Sequence, residues 1–186
     1  MPEFMYLLRI PKDRIAVLIG IKGDTKRRIE QETGTKLNID SKEGEIEVVG
    51  KDALGLYTSR EIIQAIGRGF NPEFALLLLK QDYAFEQVDI GNYLKTKESM
   101  QRLRGRVIGS EGKSRKYIEE MTETHISVYG KTIGIIGDAE GASIARQAIE
   151  SLLKGSQHSN VFRWLEKQRK EKRKKEFEKN LGIGDE

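Results

Sequence analysis

The amino-acid sequence predicts an α+β protein: two copies of one β-α-α-β-β-α unit, each a three-stranded antiparallel sheet packed on helices, followed by a basic helix. Three observations lead there. As a turn between two helical stretches, Ile-Gly-x-x-Gly occurs twice, as Ile19-Gly20-Ile21-Lys22-Gly23 and as Ile108-Gly109-Ser110-Glu111-Gly112. The residues after each turn match at one fixed offset without a gap: Ile29 with Ile118, Glu30 with Glu119, Thr33 with Thr122, Thr35 with Thr124, Leu37 with Ile126 and Ile39 with Val128. Each copy then closes on an apolar strand ended by glycine, residues 46–50 and 133–137, two residues out of phase. A match of this length is the mark of an internal repeat.

In the first copy, residues 6–10 form a short apolar strand stopped by Pro11. Ile15, Leu18 and Ile19 recur at helical spacing and predict a helix over 12–19. After the glycine turn, Asp24 or Thr25 caps a second helix that runs to about Thr33, with Gly34 at C′. Residues 36–40 and 45–49 alternate as strands of a hairpin joined through Gly44, and Asp52 caps a longer amphipathic helix over 52–66. The second copy repeats the order, with a strand over 85–90, helices over 96–108 and 113–122, strands over 125–128 and 132–136, and a helix over 139–153. Its first helix begins later after the strand, so an insertion falls around residues 91–99. Between the copies, Asn71-Pro72 precedes a leucine-rich stretch, 74–79, expected to form an extra helix packed between the domains. Residues 161–179 are rich in Lys and Arg, hold the only tryptophan, Trp164, and read as a charged C-terminal helix. The expected units are 1–81 with its connecting helix, 82–156, and a basic tail over 157–186.

Composition narrows the function. The chain has 186 residues, 37% hydrophobic and 33% charged, enough for two moderate cores under a heavily ionised surface. A net charge of +4 is modest for a nucleic-acid binder, so any basic footprint must be local. The absence of cysteine excludes disulfides, thiolate metal sites and cysteine nucleophiles. The two histidines, His125 and His158, are too few and too far apart in sequence for a metal cluster, so neither metal nor cofactor is expected. The longest apolar run, 74–79, is far short of the roughly 20 residues of a membrane span. The N-terminus lacks the basic-then-apolar pattern of a signal peptide, and a cytoplasmic location is expected.

The glycine turns carry the chemistry. Glycines let the backbone turn sharply between two helices and approach a ligand with no Cβ in the way. The helix that follows aims unpaired N–H groups and its positive dipole end at the same point, which suits a phosphodiester. Aliphatic groups beside the turn can face bases, while backbone groups of the edge strand read them. This arrangement resembles the K-homology (KH) module of type I, whose Gly-x-x-Gly loop clamps about four nucleotides of single-stranded RNA or DNA. One such turn would say little, but two inside matching units say much more.

The copies differ in charge. Around the second turn stand Arg102, Arg104 and Arg106 before it and Lys113, Arg115 and Lys116 after it, opposed only by Glu111. The expected RNA-binding set is Arg104, Arg106, Ile108, Gly109, Ser110, Glu111, Gly112, Lys113, Ser114, Arg115, Lys116 and Ile126. Around the first turn, Lys22, Lys26 and Arg27 are opposed by Asp24, directly after the turn. That copy, with Gly20, Ile21, Lys22, Gly23, Lys26 and Arg27, is a second RNA site or a protein-contact surface. Each cation that neutralises a phosphate adds to salt-dependent affinity, which favours the second copy.

Bland readings weigh against sharper ones. Residues 109–114 brush against a P-loop, but that motif needs glycine at Val107 and a preceding strand. His125 lies on an alternating strand and reads as a structural side chain, and the Asp and Glu residues form no metal pair, so catalysis is not expected. The basic tail is either a solvated helix or an RNA or protein contact.

Further residues carry a family resemblance. Asp89-Ile90, Leu103-Arg104-Gly105-Arg106-Val107-Ile108-Gly109 with Gly112-Lys113, and Thr122-Glu123-Thr124-His125-Ile126 resemble the archaeal relatives of the Partner-of-Nob (Dim-type) small-subunit ribosomal RNA processing factors. The resemblance spans both repeats and implies that the second KH domain holds the 3′ region of small-subunit ribosomal RNA. It implies a Nob-type endonuclease and translation-initiation factors as partners. The first domain of such proteins is often degenerate, whereas here Gly20 and Gly23 remain. A general KH protein acting on messenger or other RNA, and an interaction scaffold that binds no RNA, are the alternatives.

Overall fold

A computed structural model describes residues 4–94 and 99–182. The first unit runs β1 (Phe4–Arg9), α1 (Lys12–Ile19), α2 (Asp24–Thr33), β2 (Thr35–Asp40), β3 (Glu45–Gly50) and α3 (Ala53–Gly67). A bridge follows, in which the single-turn α4 (Pro72–Ala75) tightens into a 3₁₀ turn, Leu76–Leu79. The second unit runs β4 (Tyr83–Asp89), α5 (Ser99–Ile108), α6 (Lys113–Thr122), β5 (His125–Tyr129), β6 (Thr132–Asp138) and α7 (Ala139–Leu153), and α8 (His158–Asn180) completes the chain.

Each unit is one antiparallel sheet backed by three helices. The strand orders are β1-β3-β2 and β4-β6-β5, so the last strand of each sheet lies in the middle, and β2 and β5 are edges like β1 and β4. In the first sheet Leu37 opposes Val48, and in the second Ile126 opposes Ile135; all four side chains are buried. Leu18, Ile29, Ile46, Ile62, Ile63 and Ile66 fill the first core, and Val107, Ile118, Ile133, Ile149 and Leu152 fill the second.

The repeat extends to buried polar chemistry. Thr33 donates its hydroxyl to the Ile29 carbonyl at 2.7 Å and shares a hydrogen bond with Thr35 at 2.8 Å. Thr122 and Thr124 repeat this, at 2.7 Å to the Ile118 carbonyl and 2.9 Å to each other. Both pairs sit beneath the start of the last helix, where Asp52 and Asp138 cap α3 and α7 by accepting from the Gly55 and Gly141 amides.

Three local expectations are revised. Helix α2 has Gly23 at its N-cap, with no side-chain cap; Asp24 is already helical, and Thr25 lies inside the first turn. The bridge helix is a single turn because four successive leucines follow its Ala75 and tighten into 3₁₀ geometry. In the inserted segment, Asp89 accepts from the Gly91 amide and Ile90–Tyr93 forms a 3₁₀ turn; the expected helix start at Thr96 lies outside the described residues.

The units pack on each other. Ile136 belongs to the first core, the Phe70 and Phe85 rings meet edge-on at 6.1 Å, and Phe74 stacks on His125 at 4.3 Å. Ser127 donates to the Arg68 carbonyl at 3.0 Å and Tyr129 donates to Asp13 at 2.6 Å. The first unit therefore lies along β5, the edge of the second sheet. Helix α8 packs Val161 and Leu165 into the second core and ties Lys172 to Asp138 at 2.8 Å.

Candidate nucleic-acid interface

The two glycine turns share one backbone. Gly20 and Gly109 have φ of 74° and 72°, and Gly23 and Gly112 have φ of 77° and 74°. Between them Lys22 and Glu111 both sit at φ 53°, a left-handed conformation that L-residues adopt at a cost of about 1 kcal/mol. The two glycines of a turn do different work. A Cβ on Gly109 would lie 2.8 Å from the Ser114 amide nitrogen, so this glycine lets α5 close against α6. A Cβ on Gly112 would meet nothing within 4 Å, so this glycine keeps an open face in front of the next helix. Neither α2 nor α6 has a side-chain cap; the Asp24 and Lys113 amides donate to the Ile21 and Ser110 carbonyls of the turn, and the positive helix end faces the open side of the second glycine.

The residue that opens each of these helices separates the two sites. In the first it is Asp24, whose carboxylate itself satisfies the positive helix end. In the second it is Lys113, so that end stays positive and gains a cation. Lys113 lies 3.5 Å from Glu111, but both side chains are more than three-quarters exposed, and such pairs hold weakly in water.

The expected residues do not form one surface. Gly109, Ser110, Lys113 and Ser114 line an open hollow of about 620 Å³ between α5, α6 and the start of α8, together with Tyr117 and Phe162. Arg115 falls on the opposite flank of α6. It lines a second cleft, of about 640 Å³, against β5 and the bridge, where Glu119, Glu120 and Glu123 outnumber it. Lys26 occupies the same place in the first unit, and both cations pair with the glutamate one turn on, at 4.0 and 3.9 Å. Lys116 and Arg27 are exposed, Arg104 and Ile108 are half-buried, and Ile21 stands out at 86% exposure.

Two expected contacts are redrawn. Arg106 lines the hollow, but its guanidinium is tied to the scaffold, donating from Nε to the Leu152 carbonyl at 2.8 Å and from Nη2 to the Ser156 carbonyl at 2.6 Å. In the first unit Arg14 makes the corresponding clasp on the Ile66 and Phe70 carbonyls. Ile126 is 4% exposed, in the second core, and its amide is taken by the Glu119 carboxylate at 2.7 Å. Leu37 and Glu30 repeat that bond at 2.8 Å. At these positions of both edge strands, the amide expected to read a base is already satisfied by the protein.

The hollow's aromatic wall had no signal in sequence. Tyr117 stacks on Phe162 at 4.4 Å, and His158 meets Phe162 edge-on at 5.8 Å. His158 Nε2 lies 2.7 Å from the Arg106 carbonyl, an acceptor, so this nitrogen carries the proton. Burial, then the hydrogen bond to Glu166, pushes the Tyr117 hydroxyl above its ordinary pKa and keeps it protonated. Among the described residues no His, Asp or Glu group could hold a metal, and no helix is long and apolar enough to cross a membrane.

Comparison with known proteins agrees with this architecture. Residues 84–170 match the eukaryotic type KH domain (KH domain type I), and residues 6–65 match the KH domain. A KH domain-containing protein of Methanocaldococcus jannaschii is 47% identical over 176 residues, covering 92% of this chain and 77% of that protein. The pre-rRNA-processing protein PNO1 of Chaetomium thermophilum is 31% identical over 134 residues, 68% of this chain and 51% of that protein. The chain thus spans about half of that eukaryotic relative. Among solved structures, the a/eIF2alpha–aDim2p–rRNA complex of Pyrococcus horikoshii contains a chain with a TM-score of 0.85 and 44% identity, covering 91% of this chain and 96% of that one. Dim2p of the same organism, solved by itself, gives a TM-score of 0.83 at 45% identity, with 88% and 99% covered.

Proposed function

As the chain belongs to the PNO1/Dim2 family of tandem KH proteins, we propose that it is an RNA-binding factor of ribosome assembly that holds the 3′ region of small-subunit ribosomal RNA. The second Gly-x-x-Gly turn is its main phosphate clamp. The observation that carries this reading is the uncapped start of α6 with Lys113 beside it, against Asp24 at the same place in α2. The phosphate meets the open face of Gly112 at the positive start of α6, with Lys113 and Lys116 supplying charge. The protein acts by binding and positioning, not by cleaving RNA. Ribosomal RNA as the ligand is supported by the Pyrococcus Dim2p, which was solved with rRNA and a/eIF2alpha. A Nob-type endonuclease and initiation factors that meet the same RNA end are the proposed protein partners, and the cytoplasm is the proposed place of action.

The test is preference. A short single strand from the 3′ end of small-subunit ribosomal RNA should bind at least about tenfold tighter than unrelated strands of equal length, a difference of about 1.4 kcal/mol. Equal binding of all strands would favour a general KH protein. No binding at all would leave a protein scaffold.

A further inference from the structure

The cleft on the strand side of α6 is poorly suited to a base. Its edge-strand amide at Ile126 is capped by Glu119, its rim carries Glu119, Glu120 and Glu123, and the first unit closes its far wall with Phe74 stacked on His125. The other side of the same turn differs in each respect. Its hollow has a wall of two stacked rings, Tyr117 and Phe162, with His158 beside them. Arg102 and Lys113 also line it. Of these, Arg102 is exposed on α5 and the Lys113 side chain is 76% exposed, so both can meet phosphate oxygens. Its floor holds Ser114, 5% exposed, whose hydroxyl oxygen is buried without a hydrogen-bond partner among the described residues. That oxygen is closed off from the hollow, so what the hollow offers a ligand is its aromatic wall and its two exposed cations.

Resting on the reading that the second turn grips RNA, we propose that this hollow takes the base of the nucleotide next to the gripped phosphate. The base enters against the Tyr117–Phe162 wall, and Arg102 and Lys113 hold the flanking phosphates. Rings that stack on each other at 4.4 Å leave an outer face for a base, and any base has a face to offer, so this subsite selects unpaired strands more than a sequence. The first unit has no such subsite among its described residues. The hollow is walled by α8, and the element after α3 is instead the bridge, which packs towards β5. Grip on base and grip on phosphate are thereby concentrated at one turn.

Gly105 makes the test clean. It lines the hollow from α5, and a Cβ there meets nothing within 4 Å, so Gly105→Phe fills the hollow without crowding the fold. Removing glycine from a helix interior also favours the helix. The probe is a short single strand from the 3′ end of small-subunit ribosomal RNA with one abasic nucleotide moved along it, bound to wild type, Gly105→Phe and Gly112→Asp. In wild type, one abasic position should weaken binding about tenfold, within the range that stacking of one base contributes. Gly105→Phe should bind intact RNA about tenfold more weakly and be indifferent to the abasic nucleotide at that position. If Gly105→Phe binds intact RNA like wild type while Gly112→Asp loses it, the clamp stands and the base subsite is overturned. A weaker Gly105→Phe that keeps the wild-type abasic profile overturns it too, since only phosphate access would then have changed. If Gly112→Asp binds like wild type, the clamp fails and the subsite with it.

Discussion

At the first position of its second helix, one domain carries Asp24 and the other Lys113. Nearly everything beneath that position is the same. The backbone angles of the turns agree within a few degrees, the threonine pairs repeat, and a glutamate one turn on caps the edge-strand amide in both. What differs is what surrounds the turn. The second has a lysine at the helix start, an aromatic hollow walled by α8, and an edge strand flanked by its neighbour; the first has an acid at the helix start. The comparison teaches that the Gly-x-x-Gly scaffold is a folding device shared by both units; under the proposed function, charge at one helical position decides which turn serves as the clamp.

If the scaffolds are equivalent, Gly20→Ala and Gly109→Ala should cost similar stability, about 2 kcal/mol each. Both add a Cβ that meets the following helix at under 3 Å, at a φ that disfavours side chains. Urea unfolding of the two variants measures this, and a large inequality would break the equivalence. The outer glycines should then separate the domains. Gly112→Asp should weaken RNA binding at least about tenfold, and Gly23→Asp by less than about threefold, in a titration with the ribosomal strand. Neither added Cβ meets another atom within 4 Å, so each variant carries only the strain of a side chain at positive φ, about 1 kcal/mol, and folding should survive in both.

A third contrast lies at the caps of the last helices. Asp52 takes only the Gly55 amide among the described hydrogen bonds, whereas Asp138 takes the Gly141 amide and the Lys172 ammonium of α8. Burial works to raise the Asp138 carboxyl, but those partners prevail and hold it below the usual carboxylate range. A lowered folded-state pKa means the stabilisation is present above about pH 4 and is lost as pH falls through the lowered value. Lys172→Met should therefore remove about 1 kcal/mol at neutral pH and flatten the acid dependence of unfolding; an unchanged acid profile would contradict the assignment. The smallest effect is on salt. Lys113→Ala should lower the slope of log affinity against log salt by about 0.7, the share of one phosphate on a single strand, and Lys26→Ala should leave it unchanged.

The repeat, the element order and the two turns were legible because glycine spacing and alternating apolar residues are local signals. The start of α3 was legible in the same way, from Asp52. The tying-down of Arg106 and the burial of Ile126 were not legible. Arg106 is claimed by carbonyls some fifty residues away, at Leu152 and Ser156, and Ile126 by a strand register that sets which side chains point inward. The hollow was hidden for the same reason: Tyr117 and Phe162 meet only when α8 folds back onto α6. Pattern along the chain shows which residues could bind, and only packing shows which are already spent.

The most direct test of the central claim exchanges the two helix-opening residues in one protein, Asp24→Lys with Lys113→Asp, and maps where the ribosomal strand crosslinks. If charge at that position decides which turn is the clamp, crosslinks should move from residues around Gly112 towards residues around Gly23. Crosslinks that stay at the second turn, at wild-type affinity, would contradict it.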